Sequence, residues 1–285
     1  MKLSMRIPSM GRELGFEGVA RWAAENGFDA LDVGPITPEM KRILDQYGLG
    51  IGSVDARAVS GVLSPDPERR AAAAREMKEG ISQAAELGAK VIFICLVPED
   101  RQAGRAKNFA IWQEAFPEIV SHAEREGVSL AMEPWPGGAP HYPTLGCTPE
   151  MWRAMFAHIP SQSLGLCYDP SHMIRLGIDY KRVLAEFGDR IRHVHAKDCE
   201  VIAETLYETG ILGPSFGTSL GFSEGWWRYC IPGTGQADWA YINAHLEIRG
   251  YSGYFSVELE DHRFRGVEGE KRGLLLAKRH LESIG

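Results

Sequence analysis

Short apolar runs recur along the chain at residues 2–6, 30–34, 51–56, 91–97, 129–134, 164–169, 191–198 and 254–260. Most are continuously apolar rather than alternating, which is the pattern of a strand covered on both faces in a parallel sheet. Amphipathic stretches separate them, and the clearest predicts a helix over 68–87, with Met77, Ile81, Ala84 and Ala85 on one face. A second helix is expected over 109–126, with a kink or late start at Pro117, and a third over 268–284. Thr37-Pro38-Glu39 and Thr148-Pro149-Glu150 read as helix starts, each with a cap followed by a first-turn proline and an acid. Strands and helices alternate about eight times without a composition break. The expected fold is therefore one closed (β/α)₈ TIM barrel across residues 1–285, preferred over a doubly wound open sheet.

One segment interrupts the rhythm. Residues 199–236 show no clear strand or long helix and are punctuated by Gly210, Gly213, Gly217, Gly221 and Gly225. Because the segment follows the seventh strand, it is expected to form a lid over the C-terminal mouth of the barrel, where barrel active sites lie. Trp226, Trp227, Arg228 and Tyr229 within it require burial or a stacking partner.

Composition narrows the classes of function. The 285 residues are 44% hydrophobic and 24% charged, with a net charge of −7 and no long Lys/Arg run, which disfavours a phosphate-backbone partner. No apolar leader segment follows Met1, and the longest strongly apolar run, 91–97, is too short to cross a bilayer. A cytoplasmic protein without nucleic-acid or membrane partners is expected. The five cysteines are odd in number and lack a C-x-x-C pair, so free thiols are expected.

The informative exceptions are polar residues in apolar strands. Glu133, Asp169, His195 and Glu258 stand at the ends of the fifth to eighth predicted strands. In a closed barrel these ends converge, and two Glu, one Asp and one imidazole form a mixed O/N site for Mn²⁺, Mg²⁺, Co²⁺ or Zn²⁺. A single strand-end acid is more often a cap or loop anchor, but four together at one mouth would carry a large charge that a cation offsets.

Together with these residues, Asp169-Pro170-Ser171-His172, His193-Val194-His195-Ala196-Lys197-Asp198, Trp226 to Tyr229 and Pro232-Gly233-Thr234-Gly235 occur in order across nearly the whole chain. The chain thereby resembles the sugar phosphate isomerase/epimerase superfamily with the xylose isomerase-like barrel. That resemblance implies one divalent ion, Mn²⁺ foremost, held by Glu133, Asp169, His195 and Glu258. It also implies that His172 hydrogen-bonds a substrate oxygen and that the chain forms a homodimer or homotetramer. Cys230, two residues before Pro232, departs from the family, in which a basic residue often stands near that Pro-Gly.

The chemistry expected of such a site is proton transfer beside the carbonyl of a ketose or keto-sugar derivative through a metal-stabilised enediolate. Glu133 and Glu258 are the expected acid/base pair. His193 shares a strand face with His195 and is a packing residue or a substrate contact. Lys197 and Asp198 could orient substrate, support the imidazole or form an ordinary ion pair. Arg228 is a candidate grip on the substrate, and Trp135, His141 and Tyr142 are candidates for a stacking wall, Trp135 foremost. Isomerisation or epimerisation is the leading outcome, and a lyase or dehydratase reaction is the nearest alternative. A metal-dependent endonuclease and a non-catalytic sugar-binding barrel are more distant ones.

Overall fold

A computed structural model describes residues 1–217 and 220–285 of the chain. The first half runs β1 (Lys2–Arg6), α1 (Gly11–Glu25), β2 (Ala30–Val33), α2 (Pro38–Gln46), β3 (Gly50–Asp55), α3 (Val59–Val62), α4 (Pro67–Glu86), β4 (Val91–Ile94), α5 (Arg105–Arg125) and β5 (Ser129–Met132). The second continues α6 (Pro149–His158), β6 (Leu164–Tyr168), α7 (Pro170–Arg175), α8 (Tyr180–Phe187), β7 (Ile191–Ala196), β8 (Asp198–Val201), α9 (Ala203–Thr209), β9 (Trp227–Cys230), α10 (Trp239–Ile248), β10 (Tyr254–Val257) and α11 (Gly266–Glu282).

Eight strands close into a barrel in the order β1-β10-β7-β6-β5-β4-β3-β2. Every pair is parallel, as continuously apolar strands demand. The main core lies between the barrel's outer face and the helices, where Leu31, Ile92, Leu130 and Leu166 meet Trp112, Trp152 and Leu274. Inside the barrel a small plug of Phe93, Ala131 and Cys167 lies under the mouth. Thr37 and Thr148 cap α2 and α6 through the amides of Met40 and Met151. Of the kink or late start expected at Pro117, the late start does not occur: α5 begins at Arg105 and carries Pro117 internally. All five cysteines are free, and among the described residues no helix is long and apolar enough to cross a membrane.

The expected lid at 199–236 is more structured than its composition suggests, and its residues 218 and 219 lie outside the described ones. β8 and β9 form a two-stranded antiparallel ribbon, pairing Asp198 with Cys230 and Val201 with Trp227. The pairing joins segments far apart in sequence, so no local periodicity announces it. Asp198 anchors the returning loop, accepting from the amides of Cys199 at 2.8 Å, Gly233 at 3.2 Å, Gly235 at 3.3 Å and Ala237 at 2.9 Å, and from Trp239 Nε1 at 3.1 Å. Gly235 is required there, because a Cβ would sit 2.3 Å from Asp198 Oδ1. Asp198 thus holds the loop.

Candidate metal centre

The strand ends place the acids. Glu133 follows β5 and stays on the ladder through its own amide, 2.8 Å from the Ile94 carbonyl, before Pro134 ends donation. Asp169 follows β6 and caps α7, accepting from the Ser171 amide at 2.9 Å and its hydroxyl at 2.6 Å, with Pro170 in the first turn. Glu258 follows β10, while His195 lies within β7 with its ring inside the barrel, stacked on Phe93 at 5.2 Å.

One ligand atom from each of Glu133, Asp169, His195 and Glu258 falls within 4.8 Å of the others. His195 Nδ1 is 3.2 Å from Glu133 Oε2 and 3.3 Å from Glu258 Oε2. Glu133 Oε2, Asp169 Oδ2 and His195 Nδ1 are buried and make no hydrogen bond. Buried polar atoms without hydrogen bonds are costly in the interior, and with Asp169 Oδ2 already 3.2 Å from the Lys197 ammonium, the three together form a donor set of the kind that fits a divalent cation. Two further groupings, Asp32 with His193 and His195, and Glu133 with Cys167 and His195, share the same imidazole.

Lys197 occupies the centre of this charge. Its Nζ is 2.5 Å from Glu258 Oε2, 2.9 Å from Glu260 Oε2 and 3.2 Å from Asp169 Oδ2. Burial opposes its ionisation, but Asp169, Glu258 and Glu260 raise it well above the ordinary lysine range. Burial likewise pushes Glu258 toward protonation, and Lys197 and His195 outweigh it and hold the carboxyl far below its usual range. Glu133 is depressed in the same way, with burial overcome by the His195 charge and the His172 hydrogen bond. Asp169 shows the opposite balance, since burial exceeds the pull of Lys197 and pushes it up to about 8. His195 is raised well above the imidazole range, its burial overridden by Cys167 and by the carboxylates of Glu258 and Glu133.

His172 joins the cluster from α7. Its Nε2 lies 2.8 Å from Glu133 Oε1 and its Nδ1 lies 2.6 Å from the Tyr229 hydroxyl. Burial, followed by the nearby Lys197 ammonium, lowers it to about 3, so the ring is neutral.

Other expected residues lie elsewhere. His193 does share the inward face with His195, but its Nε2 is 2.6 Å from Asp32 Oδ2 and it faces away from the mouth, one strand layer below. Its observed partner is Asp32. Arg228 is not brought to the cluster either. Strand alternation turns Trp227 and Tyr229 toward Arg175 and His172, and Arg228 is left on the other face, paired with Glu200 and 3.7 Å from Asp261. Trp135 is half-buried two residues after Glu133, His141 is exposed, and the Tyr142 hydroxyl donates to Glu224 at 2.7 Å.

Three residues, Asp32, Arg6 and Arg175, escaped the reading of the sequence, and Tyr229 was expected only to need burial or a stacking partner. Asp32 sits in the middle of β2 and orients His193, with His195 Nε2 3.6 Å away. Arg6, ending β1, grips Asp55 at 2.9 and 3.0 Å and lies 3.3 Å from Glu258. The rule that found Glu133, a charge in an apolar strand, would have found both. Arg175 and Tyr229 meet across α7 and β9 at 2.7 Å, and no sequence signal links them.

With this geometry in place, the chain's kinship is clear. Residues 10–283 match the xylose isomerase-like TIM barrel family, and the chain belongs to that family. Among curated relatives, an inosose dehydratase of Geobacillus thermodenitrificans is 28% identical over 267 residues, spanning 89% of this chain and 85% of its own. An inosose dehydratase of Salmonella typhimurium is 26% identical over 301 residues, spanning 98% and 91%. Among solved structures, a 3-keto-D-glucoside 4-epimerase from E. coli shares the fold with a TM-score of 0.72 at 16% identity, covering 99% of each chain. A D-tagatose 3-epimerase-like protein does so with a TM-score of 0.69 at 19% identity, covering 100% and 98%.

Proposed function

We propose that the chain is a divalent-metal-dependent enzyme that removes the carbon-bound proton next to the carbonyl of a ketose or keto-sugar derivative. The observation that carries this reading is the convergence of Glu133, Asp169, His195 and Glu258 within 4.8 Å, three of them presenting buried atoms without hydrogen bonds. These four side chains would hold the ion. A divalent cation supplies positive charge that polarises carbonyl and neighbouring hydroxyl oxygens.

The remaining chemistry belongs to the chain's own groups. Glu133 and Glu258 approach from the two flanks of the β7–β6 pair and both are held ionised, so either can accept a proton from carbon. His172 is neutral and directs one ring nitrogen at Glu133 Oε1, a position from which it donates to a substrate oxygen. Glu133, Asp169 and His195 are buried, and withdrawal from water strengthens the electrostatic contacts they make.

Return of the proton to carbon gives an isomer or epimer, and two flanking carboxylates suit that outcome. Elimination of a β-substituent is the second reading, supported by Lys197, a protonated amine beside Glu258 that can donate to a departing oxygen. The kinship with inosose dehydratases supports it as well.

Incubating the Mn²⁺-loaded enzyme in D₂O with a panel of ketoses and 3-keto-glycosides tests both readings. Deuterium incorporation with a new sugar diastereomer supports isomerisation, and loss of a substituent supports elimination. Glu133→Gln and Glu258→Gln should each abolish exchange with the fold intact. Absence of exchange across the panel would overturn the enzyme reading in favour of a binding module.

A further inference from the structure

Glu258 is the corner of the cluster that solvent reaches. Its side chain is 14% exposed, against 4% for Glu133 and none for Asp169 and His195. It opens into a cavity of about 490 Å³ between the segment after β1 and the segment after β10, within the usual size range of small-molecule sites. A substrate that engages the cluster through Glu258 must send its remaining atoms into this space.

The cavity's lining groups divide into engaged acids and unengaged donors. Glu258 and Glu260 are held by Lys197, Asp261 by Arg263, and Glu270 by the Ser9 hydroxyl and the Met10 amide. Arg6 is committed to Asp55 and Glu258. Arg12 and Arg265, by contrast, have no acidic partner among the described residues, although both line the cavity. Arg265 donates through Nε to the His262 carbonyl at 3.1 Å, and among the described residues its terminal nitrogens make no hydrogen bond or ion pair. His262 Nδ1 is buried and unbonded on the same wall. The four carboxylates of the lining are thus taken up by other groups, and the exposed guanidiniums of Arg12 and Arg265 are the cations on this wall that an incoming anion could meet.

The lid supplies an apolar edge. Phe222 lines the cavity with a φ of 58°, a left-handed backbone that a residue with a side chain adopts at a cost. Its carbonyl is fixed by the Tyr229 amide at 2.9 Å.

We infer that this cavity is a subsite for an anionic substituent, a carboxylate or a phosphate, carried by the substrate away from its carbonyl and bound by Arg12 and Arg265. The inference rests on the reading of the neighbouring cluster as the reacting site. It narrows the substrate class to acidic keto-sugars.

The test compares binding of fructose, fructose 6-phosphate and 5-ketogluconate to the Mn²⁺-loaded protein by calorimetry at low and high salt. At least one anionic sugar should bind roughly tenfold or more tightly than fructose, and which one does so separates phosphate from carboxylate. That preference should shrink in high salt, because exposed charges are screened. It should fall to near unity in an Arg12→Gln/Arg265→Gln double variant and survive in Arg42→Gln, a charge removal on α2. Equal affinities, failure of both anionic sugars to bind, or a preference that persists in the double variant would each overturn the subsite. Failure of the underlying reading is distinguishable: the protein would then give no deuterium exchange with any sugar, whereas a failed subsite leaves exchange on neutral ketoses.

Discussion

The Tyr229 hydroxyl lies 2.6 Å from His172 Nδ1 and 2.7 Å from Arg175 Nη1, and these two contacts fix the direction of its proton. A guanidinium only donates, so Tyr229 accepts from Arg175; the ionised Glu133 Oε1 takes the ring proton on Nε2, and Nδ1 is left to accept the Tyr229 hydrogen. The neutral ring then carries its proton on Nε2 and aims it at Glu133 Oε1, 2.8 Å away. Arg175 is itself held over the Trp227 ring at 4.0 Å and by Glu224 at 2.9 Å, so the lid ribbon sets the state of a residue in the candidate site.

Tyr229→Phe should therefore act through His172. It removes one hydroxyl, keeps the ring and frees Nδ1 to take the proton instead. We expect kcat to fall roughly tenfold to a hundredfold, within the range of contributions from a positioned proton donor, with a smaller change in KM. Nitrogen NMR of labelled histidine should show His172 moving from the Nε2–H tautomer toward a mixture. An unchanged tautomer with unchanged kcat would remove Tyr229 from this role.

Metal binding should be linked to protons. In the metal-free protein Asp169 is pushed up to about 8, above the unfolded carboxyl value, so it holds a proton at neutral pH that a bound cation must displace. For the metal-free fold the raised carboxyl contributes stability that is present below about pH 4 and is lost as pH rises through about 8. The metal-bound fold has no such loss. The rise in Tm on adding Mn²⁺ should consequently grow between pH 6 and pH 8, and calorimetry in buffers of different ionisation enthalpy should register proton release. A Tm increment that shrinks with pH would contradict this.

Asp198 should matter for folding more than for chemistry. Asp198→Ala orphans the amides of Cys199, Gly233, Gly235 and Ala237 and the Trp239 indole N–H. An unsatisfied buried group costs about 1–3 kcal/mol, and partial rehydration of the loop leaves a net loss of at least about 3 kcal/mol. Urea unfolding measures it, and a loss below about 1 kcal/mol would show that the loop does not depend on this carboxylate.

How much of this was legible in the sequence follows from the range of each signal. Barrel strands announce themselves locally because burial on both faces makes them apolar throughout, and Glu133, Asp169 and Glu258 were conspicuous as charges ending such runs. Asp32 obeys the same rule but sits in mid-strand, where its partner His193 is 161 positions away. The β8–β9 ribbon and the link between Arg175 and Tyr229 depend on pairings that no residue spacing encodes. Arg228 stands apart from the cluster for that reason: which face of β9 looks toward His172 is decided by the pairing of Glu200 with Arg228 and of Cys199 with Tyr229.

The central claim is that four side chains from β5, β6, β7 and β10 hold one cation, and titration with Mn²⁺ followed by electron paramagnetic resonance tests it most directly. The account predicts one tightly bound Mn²⁺ per chain in the wild-type protein, and at least tenfold weaker binding in Glu133→Gln and in Asp169→Asn variants that keep the wild-type circular dichroism spectrum. Failure of the folded wild type to bind Mn²⁺, or affinity unchanged in both variants, would contradict it.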